Sequence, residues 1–161
     1  MGALCRHADL ERSTDLAAQP TLAAVAPLVA DPLVRSRGTL VGSLCHADPQ
    51  GDWASAVTAL DGHVVAVGPR GQRTIPIRDF VSGPFQTALA HDELAVEAVI
   101  PAPEATPAGG YLKLERRVGD FATAGVAVAL ELNGDSVARA GIALTGVGSA
   151  TIDAADAADA L

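Results

Sequence analysis

The residues of this chain best suited to hold a phosphorylated ligand are a short glycine-bearing segment and an acid that follows it. Residues 39–43 read Thr-Leu-Val-Gly-Ser, and Asp52 comes nine residues after Ser43. Glycine lets backbone N–H groups come close to a phosphate, and a carboxylate accepts hydrogen bonds from ligand hydroxyls. The pattern predicts a site for a phosphorylated cofactor. A tight turn at Gly42 and a helix cap at Asp52 would explain the same residues without a ligand.

A second cluster, formed by Cys45, His46 and Asp48, contains side chains that can bind a metal ion. No further ligand stands at a suitable spacing, so we interpret it as a packed cysteine beside polar loop residues and predict no metal site. The other cysteine, Cys5, lies forty residues away and forms no CxxC pair. The two cysteines provide neither a disulfide framework nor a full set of iron–sulfur ligands.

Composition limits the classes of partner. The chain has 161 residues, of which 49% are apolar, and this is enough for one domain with a real core or slightly more. Its formal net charge of -8 disfavours nucleic acid and anionic membranes, because phosphate groups would be repelled. There is no apolar run of membrane-spanning length and no secretory signal pattern at the N-terminus. We therefore predict a cytoplasmic protein with a small-molecule or protein partner.

Two helices are predicted to flank the glycine-bearing segment. Residues 21–30 are rich in alanine, with leucine and valine at helical spacing, and the Asp31-Pro32 pair ends this helix. Asp52 is well placed to cap a second helix over residues 53–60, which Asp61-Gly62 would close. The helix cap and the glycine-bearing segment are therefore predicted to be neighbours.

The rest of the chain changes to a strand pattern. Six segments have extended character: 63–67, 73–77, 93–100, 111–117, 122–132 and 137–145. A glycine-rich connection joins the first two, and Asn133-Gly134 predicts a tight hairpin between the last two. Residues 101–110 contain three prolines and two glycines and are the best candidate for a domain boundary, whereas residues 152–161 have a helix-forming composition. Short helices around small antiparallel sheets indicate an α+β fold.

The ordered motifs resemble the FAD-binding (medium) subunits of the molybdenum hydroxylase or xanthine dehydrogenase family, and most closely the carbon monoxide dehydrogenase type. Residues 39–52 are similar to that family's Thr-Ile-Gly-Gly-Ser/Asn loop with an aspartate nine residues on. Further similar segments follow in the same order at 71–76, 79–80, 92–94, 111–113 and 119–122. Colinear order over about a hundred residues makes a chance resemblance improbable.

The resemblance implies a fold and which parts of that fold this chain would contain. Residues 1–103 would form the second lobe of a vanillyl-alcohol-oxidase-type FAD-binding domain, and residues 104–161 a partial C-terminal sheet-and-helix domain. The family's first lobe, which carries another glycine-rich loop for the same FAD, would be absent. We therefore expect a subunit that is truncated at both ends.

The resemblance also implies a function. The chain would be part of an electron-transfer flavoprotein subunit that binds FAD beside a small iron–sulfur subunit and a large molybdopterin subunit. Electrons from the substrate would pass through iron–sulfur clusters to FAD and then to an external acceptor, so no catalytic residue is expected in this chain. The alternative is a truncated remnant or interaction module that no longer binds FAD.

Individual site residues follow from the same resemblance. The FAD pyrophosphate would be held by Thr39, Leu40, Val41, Gly42 and Ser43. Asp52 would accept hydrogen bonds from ribityl or ribose hydroxyls, and Ala95 would contact FAD from its strand. Tyr111 and Lys113 would lie near the flavin ring. Val41 stands where the family has the first glycine of its pair, and a β-branched residue resists positive φ. We therefore expect weaker FAD binding from this substitution.

Overall fold

Seven short helices surround the sheets of the computed structural model, which describes residues 1–161. The helices are α1 (His7–Arg12), α2 (Pro20–Val25), α3 (Pro32–Arg35), α4 (Leu40–His46), α5 (Asp52–Ala59), α6 (Ile77–Phe80) and α7 (Ala155–Ala158). Single turns of 3-10 helix lie at Thr14–Ala18 and Ala26–Leu28. Proline occupies the first turn of both α2 and α3, where its missing N–H costs no hydrogen bond.

Nine strands form three antiparallel sheets. They are β1 (His63–Gly68), β2 (Gly71–Pro76), β3 (Val81–Gly83), β4 (Gln86–Thr87), β5 (Leu94–Val99), β6 (Thr106–Leu114), β7 (Ala124–Asn133), β8 (Ser136–Thr145) and β9 (Ile152–Asp153). The strand orders are β2-β1-β5, β3-β4 and β6-β7-β8-β9. The predicted α+β class is confirmed, and both predicted hairpins form: β1 pairs with β2, and β7 pairs with β8.

Helix α5 lies at the centre of the molecule. All of its residues are buried, and it packs against β7, β8, α2 and α4. Its contact with β8 is very close, because a Cβ built on Gly141 would lie 1.9 Å from the carbonyl oxygen of Ala59. The same core contains Trp53, Leu40, Leu44 and others. Helix α5, which begins at Asp52, is therefore held by both the first half of the chain and the β6-β7-β8-β9 sheet.

Several local predictions were wrong. Residues 40–46 form helix α4 rather than a loop, and α1 and α3 are further helices that the pattern did not indicate. The helix predicted over 21–30 ends at Val25, just before Pro27. Residues 106–110, taken as part of a boundary segment, belong to β6, and 152–161 contain only β9 and the four-residue helix α7. The boundary between residues 103 and 104 stays a prediction.

Candidate cofactor site

The glycine-bearing segment is the first turn of helix α4. Thr39 is its N-cap residue, and its Oγ1 accepts a 3.0 Å hydrogen bond from the N–H of Gly42. Gly42 is exposed, and a Cβ built on it would lie 2.7 Å from Thr39 Oγ1. Any side chain at this position would therefore displace the capping hydroxyl. Glycine keeps the cap in place and leaves the surface of this turn free of side-chain atoms.

The other two residues of this turn point into the protein. Leu40 and Val41 are buried members of the core. Neither of them has a positive φ, because both lie in α4. The positive φ that valine resists is therefore not needed at position 41, and the weaker FAD binding expected from this residue stays a prediction. Its β-branched side chain packs in the core, and the helical backbone at this position requires no glycine.

Asp52 is buried and binds two side chains of β6. The hydroxyl of Tyr111 donates a 2.7 Å hydrogen bond to its Oδ1, and the ammonium of Lys113 donates one of 2.9 Å to its Oδ2. Burial raises the pKa of Asp52, while the hydrogen bonds from Tyr111 and Lys113 lower it. Burial beside this carboxyl also raises the pKa of Tyr111, so its hydroxyl keeps its proton and remains a donor.

Asp52 does not cap helix α5, contrary to the prediction. The N-cap residue is Gly51, and Asp52 is the first helical residue. The preceding loop is held from β8, since Thr145 Oγ1 lies 2.9 Å from the carbonyl oxygens of Pro49 and Gly51. Glycine at position 125 gives room for the Tyr111 hydroxyl, because a Cβ there would lie 2.6 Å from it. Thus β8 holds the loop before Asp52, and Gly125 of β7 leaves space for the Tyr111 hydroxyl that binds it.

Lys113 faces inward rather than toward solvent. Its side chain is 2% exposed, and its ammonium also donates a 3.0 Å hydrogen bond to the carbonyl oxygen of Leu28. Oε2 of Glu115 lies 3.5 Å from the same ammonium. The N–H groups of Lys113 are therefore directed at acceptors of this chain.

Ser43 and Asp52 line one small cavity of about 70 Å³. Its other walls come from Gly51, from Val29 and Ala30, and from residues 119–121, which follow β6. The loop at Gly119 fits closely, because a Cβ there would lie 3.3 Å from the carbonyl oxygen of Ala30. Residues 119–122 resemble a family segment, but no role in the site was predicted for them from the sequence. Their resemblance to the family motif was the signal that could have included them.

The remaining candidate, Ala95, lies on β5 opposite Ala66, at a β-bulge. Ala95 is partly buried against the core, and β5 packs against α4. It does not line the cavity of Ser43 and Asp52. The structure thus brings Ser43, Asp52, Tyr111 and Lys113 together and places Ala95 on the sheet beneath α4.

The cysteine and histidine residues are not arranged as a metal centre. The structure contains no group of three or more His, Cys, Asp or Glu side chains that could hold a metal ion. Cys45 is half-buried, and burial raises the pKa of its thiol. The ring of His46 instead packs at 5.2 Å from that of Phe85. None of the helices is both long enough and apolar enough to cross a membrane.

Comparison with known proteins gives two family matches. Residues 1–103 match the FAD binding domain in molybdopterin dehydrogenase, and residues 110–161 match the CO dehydrogenase flavoprotein C-terminal domain. The chain is 40% identical to the carbon monoxide dehydrogenase medium chain of Hydrogenophaga pseudoflava, over 91% of this chain and 52% of that one. It is 38% identical to the nicotine 6-hydroxylase medium subunit of Paenarthrobacter nicotinovorans, over 99% of this chain and 56% of that subunit.

Solved structures show the same relationship. The structure of CO dehydrogenase from Oligotropha carboxidovorans, in its reconstituted form, superposes with a TM-score of 0.94 at 34% identity and covers 99% of this chain and 56% of the other. The chain spans about half the length of the curated relatives that it matches. These matches show that the chain belongs to the family of FAD-binding domains of molybdopterin dehydrogenases, with the fold of the CO dehydrogenase medium chain.

Proposed function

We propose that this chain forms one wall of an FAD site in the flavoprotein subunit of a molybdopterin-dependent dehydrogenase. The observation that carries the proposal is the cavity between α4, α5 and the loop after β6, where Ser43 meets Asp52 and residues 119–121. These residues are far apart in sequence and belong to segments that match two FAD-subunit families. A cavity of about 70 Å³ is far smaller than the roughly 300–1,000 Å³ typical of ligand pockets. It suits part of a cofactor, such as a hydroxyl-bearing chain.

The residues of this wall have distinct proposed roles. The first turn of α4, from Thr39 through Leu40 and Val41 to Gly42 and Ser43, would face the pyrophosphate with backbone N–H groups and two hydroxyls. Asp52 would accept a hydrogen bond from a cofactor hydroxyl, since each of its oxygens has a second lone pair.

Two further residues complete the proposed site. Ala95 would flank the flavin from β5. Lys113 would act through Asp52, because its ammonium is buried and already directed at acceptors of this chain.

The redox chemistry that FAD supplies would carry electrons from iron–sulfur clusters to an external acceptor. The proposed partners are a small iron–sulfur subunit and a large molybdopterin subunit, and the complex would be cytoplasmic. The contribution of this chain is to bind and orient, and no acid or base of its own is needed. The relatives include carbon monoxide and nicotine enzymes, so we propose that the molybdopterin subunit determines the substrate.

Titration of the purified chain with FAD, followed by flavin fluorescence, tests the proposal. Gly42→Ala should weaken binding about 2- to 30-fold, since it displaces the Thr39 cap. Gly2→Ala is the matched control, because a Cβ at Gly2 would meet no atom within 4 Å. Equal affinity of both variants would contradict the role of the α4 turn, and absence of uptake by the wild type would contradict FAD binding by this chain.

The second candidate function is an interaction module without FAD. It is favoured by an apolar surface formed by β6 and the loop after β8, where Leu112 is 75% exposed, Leu114 65% and Val147 50%. Exposed apolar patches of this kind mark protein interfaces in soluble proteins. A chain that takes up no FAD but co-purifies with a molybdopterin subunit would support this candidate, and Leu112→Ser should then weaken the association.

A further inference from the structure

Two carboxylates compete for one buried ammonium next to the candidate cofactor site. Lys113 Nζ lies 2.9 Å from Asp52 Oδ2 and 3.5 Å from Glu115 Oε2. The side chains of Lys113 and Asp52 are 2% and 6% exposed, and that of Glu115 is 18% exposed. With all three groups ionised, this cluster carries one uncompensated negative charge in a largely buried place, where water screens it less than at the surface.

Glu115 is the poorly satisfied member of this cluster. Its Oε2 is buried and accepts no hydrogen bond, which is costly for a carboxylate oxygen. Glu115 and Arg35 both line a neighbouring cavity of about 210 Å³, but the Arg35 guanidinium donates its hydrogen bonds to other residues. Nε of Arg35 donates to Glu11, and Nη1 donates to the carbonyl oxygens of Val29 and Ala30. The ammonium of Lys113 is thus the cation that faces Glu115 Oε2.

The charge of Glu115 acts on Asp52. The groups facing Asp52 are Tyr111 and Lys113 from β6, Glu115 just beyond that strand, and Asp120 across the cavity. Burial is the main cause that raises the pKa of Asp52, and the negative charge of Glu115 raises it further. The opposing hydrogen bonds of Tyr111 and Lys113 lower it.

We propose that Glu115 is a positioning residue for the cofactor site, which sets the charge of Asp52 by drawing on the same Lys113 ammonium. When Asp52 is a carboxylate it can accept hydrogen bonds from ligand hydroxyls, and when it is protonated it loses part of that capacity. Glu115 thereby shifts the pH below which Asp52 loses part of its capacity to accept hydrogen bonds. The role in FAD binding rests on the proposed function, whereas the effect on Asp52 does not.

The experiment is a titration of the Asp52 side-chain carboxyl by ¹³C NMR in the free chain. In the wild type, we expect Asp52 to titrate above the ordinary aspartate range. In Glu115→Gln, which keeps the shape of the side chain, the midpoint should fall, because the like charge beside Asp52 is removed. Glu131→Gln is the control, because Glu131 pairs with Arg139 and lies outside the cluster. It should leave the Asp52 midpoint unchanged.

A midpoint that stays unchanged or rises in Glu115→Gln would overturn the proposal, as would ordinary titration of Asp52 in the wild type. If Glu115→Gln failed to fold by circular dichroism, Glu115→Asp, which moves the charge by one methylene, should lower the midpoint by a smaller amount. FAD affinity measured against pH separates the two proposals. If FAD binds, the pH at which FAD affinity falls on the acid side should shift together with the Asp52 midpoint. If FAD does not bind, the proposed function fails while the NMR midpoints still decide the role of Glu115.

Discussion

The hydroxyl of Tyr111 donates a 2.7 Å hydrogen bond to Oδ1 of Asp52, which lies 59 residues earlier in the chain. This contact joins the start of α5 to β6, and thus the segment that matches one family to the segment that matches the other. Because both groups are buried, the carboxylate relies on this donor and on Lys113 instead of water. The site is therefore also a structural junction.

Replacing Tyr111 by phenylalanine should destabilise the protein by about 1.5–3 kcal/mol, the usual value of a hydrogen bond to a charged group. The variant also removes the Tyr111 hydrogen bond, which lowers the pKa of Asp52. Urea unfolding at neutral pH measures the loss. In an Asp52→Asn background the same substitution should cost much less, since the charged acceptor is gone. An equal cost in both backgrounds would show that the hydrogen bond is not the cause.

The six longer strands were predictable from the sequence, apart from the first residues of β6, because their signals are local. The apolar run along β7 and the Asn133-Gly134 turn are both visible in a short window of the sequence, and Gly134 has the positive φ that such turns require. The helix α4 was not predictable in this way. It has seven residues, too few to be stable alone, and depends on the burial of Leu40 and Leu44 in the core.

The cofactor site was only partly predictable for the same reason. Asp52 was found from its spacing to the glycine-bearing segment, but its partners Tyr111 and Lys113 come from a distant strand. Gly38 gives a second example, because a Cβ there would lie 2.8 Å from the ring of His7, which lies 31 residues earlier in the chain. Local patterns cannot show which distant side chain requires the absence of a Cβ.

The ring of His7 should make stability depend on pH. It is 4% exposed, and its Nδ1 accepts a 2.9 Å hydrogen bond from Trp53 Nε1, which requires a neutral imidazole. Burial, and secondly the charge of Arg35, lower its pKa below 6.5. The unfolded chain therefore binds the proton more readily, so the contribution is complete above pH 6.5 and falls as the pH drops toward the lower folded pKa.

Urea unfolding followed by the fluorescence of Trp53, the one tryptophan, measures this dependence. His7→Asn supplies an amide oxygen as acceptor but cannot be protonated, so its stability should vary less between neutral and mildly acid pH than that of the wild type. His91→Asn, at an exposed position, is the control and should keep the wild-type dependence. If His7→Asn kept the same slope, protonation of His7 would not be responsible.

Gly141 should be intolerant of alanine. The added Cβ would lie 1.9 Å from the carbonyl oxygen of Ala59, so β8 and α5 would have to separate. Overpacking typically costs about 1–3 kcal/mol. A change of side-chain rotamer cannot relieve this contact, because the atoms that the Cβ would meet belong to the backbone of Ala59. Gly110→Ala, on β6 of the same sheet, is the matched control, because its Cβ would meet no atom within 4 Å. Thermal unfolding should show a clear loss for the first variant and a change within about 0.5 kcal/mol for the second.

Glu93 should give a second, more acidic dependence of stability on pH. Its carboxylate accepts hydrogen bonds of 2.8 Å from Arg73 Nε, Arg73 Nη2 and the N–H of Ala90. The hydrogen bonds from Arg73, followed by that from Ala90, lower the pKa of Glu93 from 4.5 to about 2. The stabilisation is therefore complete above pH 4.5 and is lost as the pH falls through about 2.

Glu93→Gln removes this charge and keeps an acceptor for the N–H of Ala90. The variant should be less stable than the wild type at neutral pH, and the difference should shrink as the pH falls from 4.5 toward 2, since the wild type then loses the same charge. Glu97→Gln, at an exposed position on β5, the strand that follows Glu93, should have a stability closer to that of the wild type at every pH. Acid unfolding curves followed by circular dichroism measure the three proteins. A constant difference between Glu93→Gln and the wild type down to pH 2 would mean that the ion pair with Arg73 does not hold the pKa of Glu93 down.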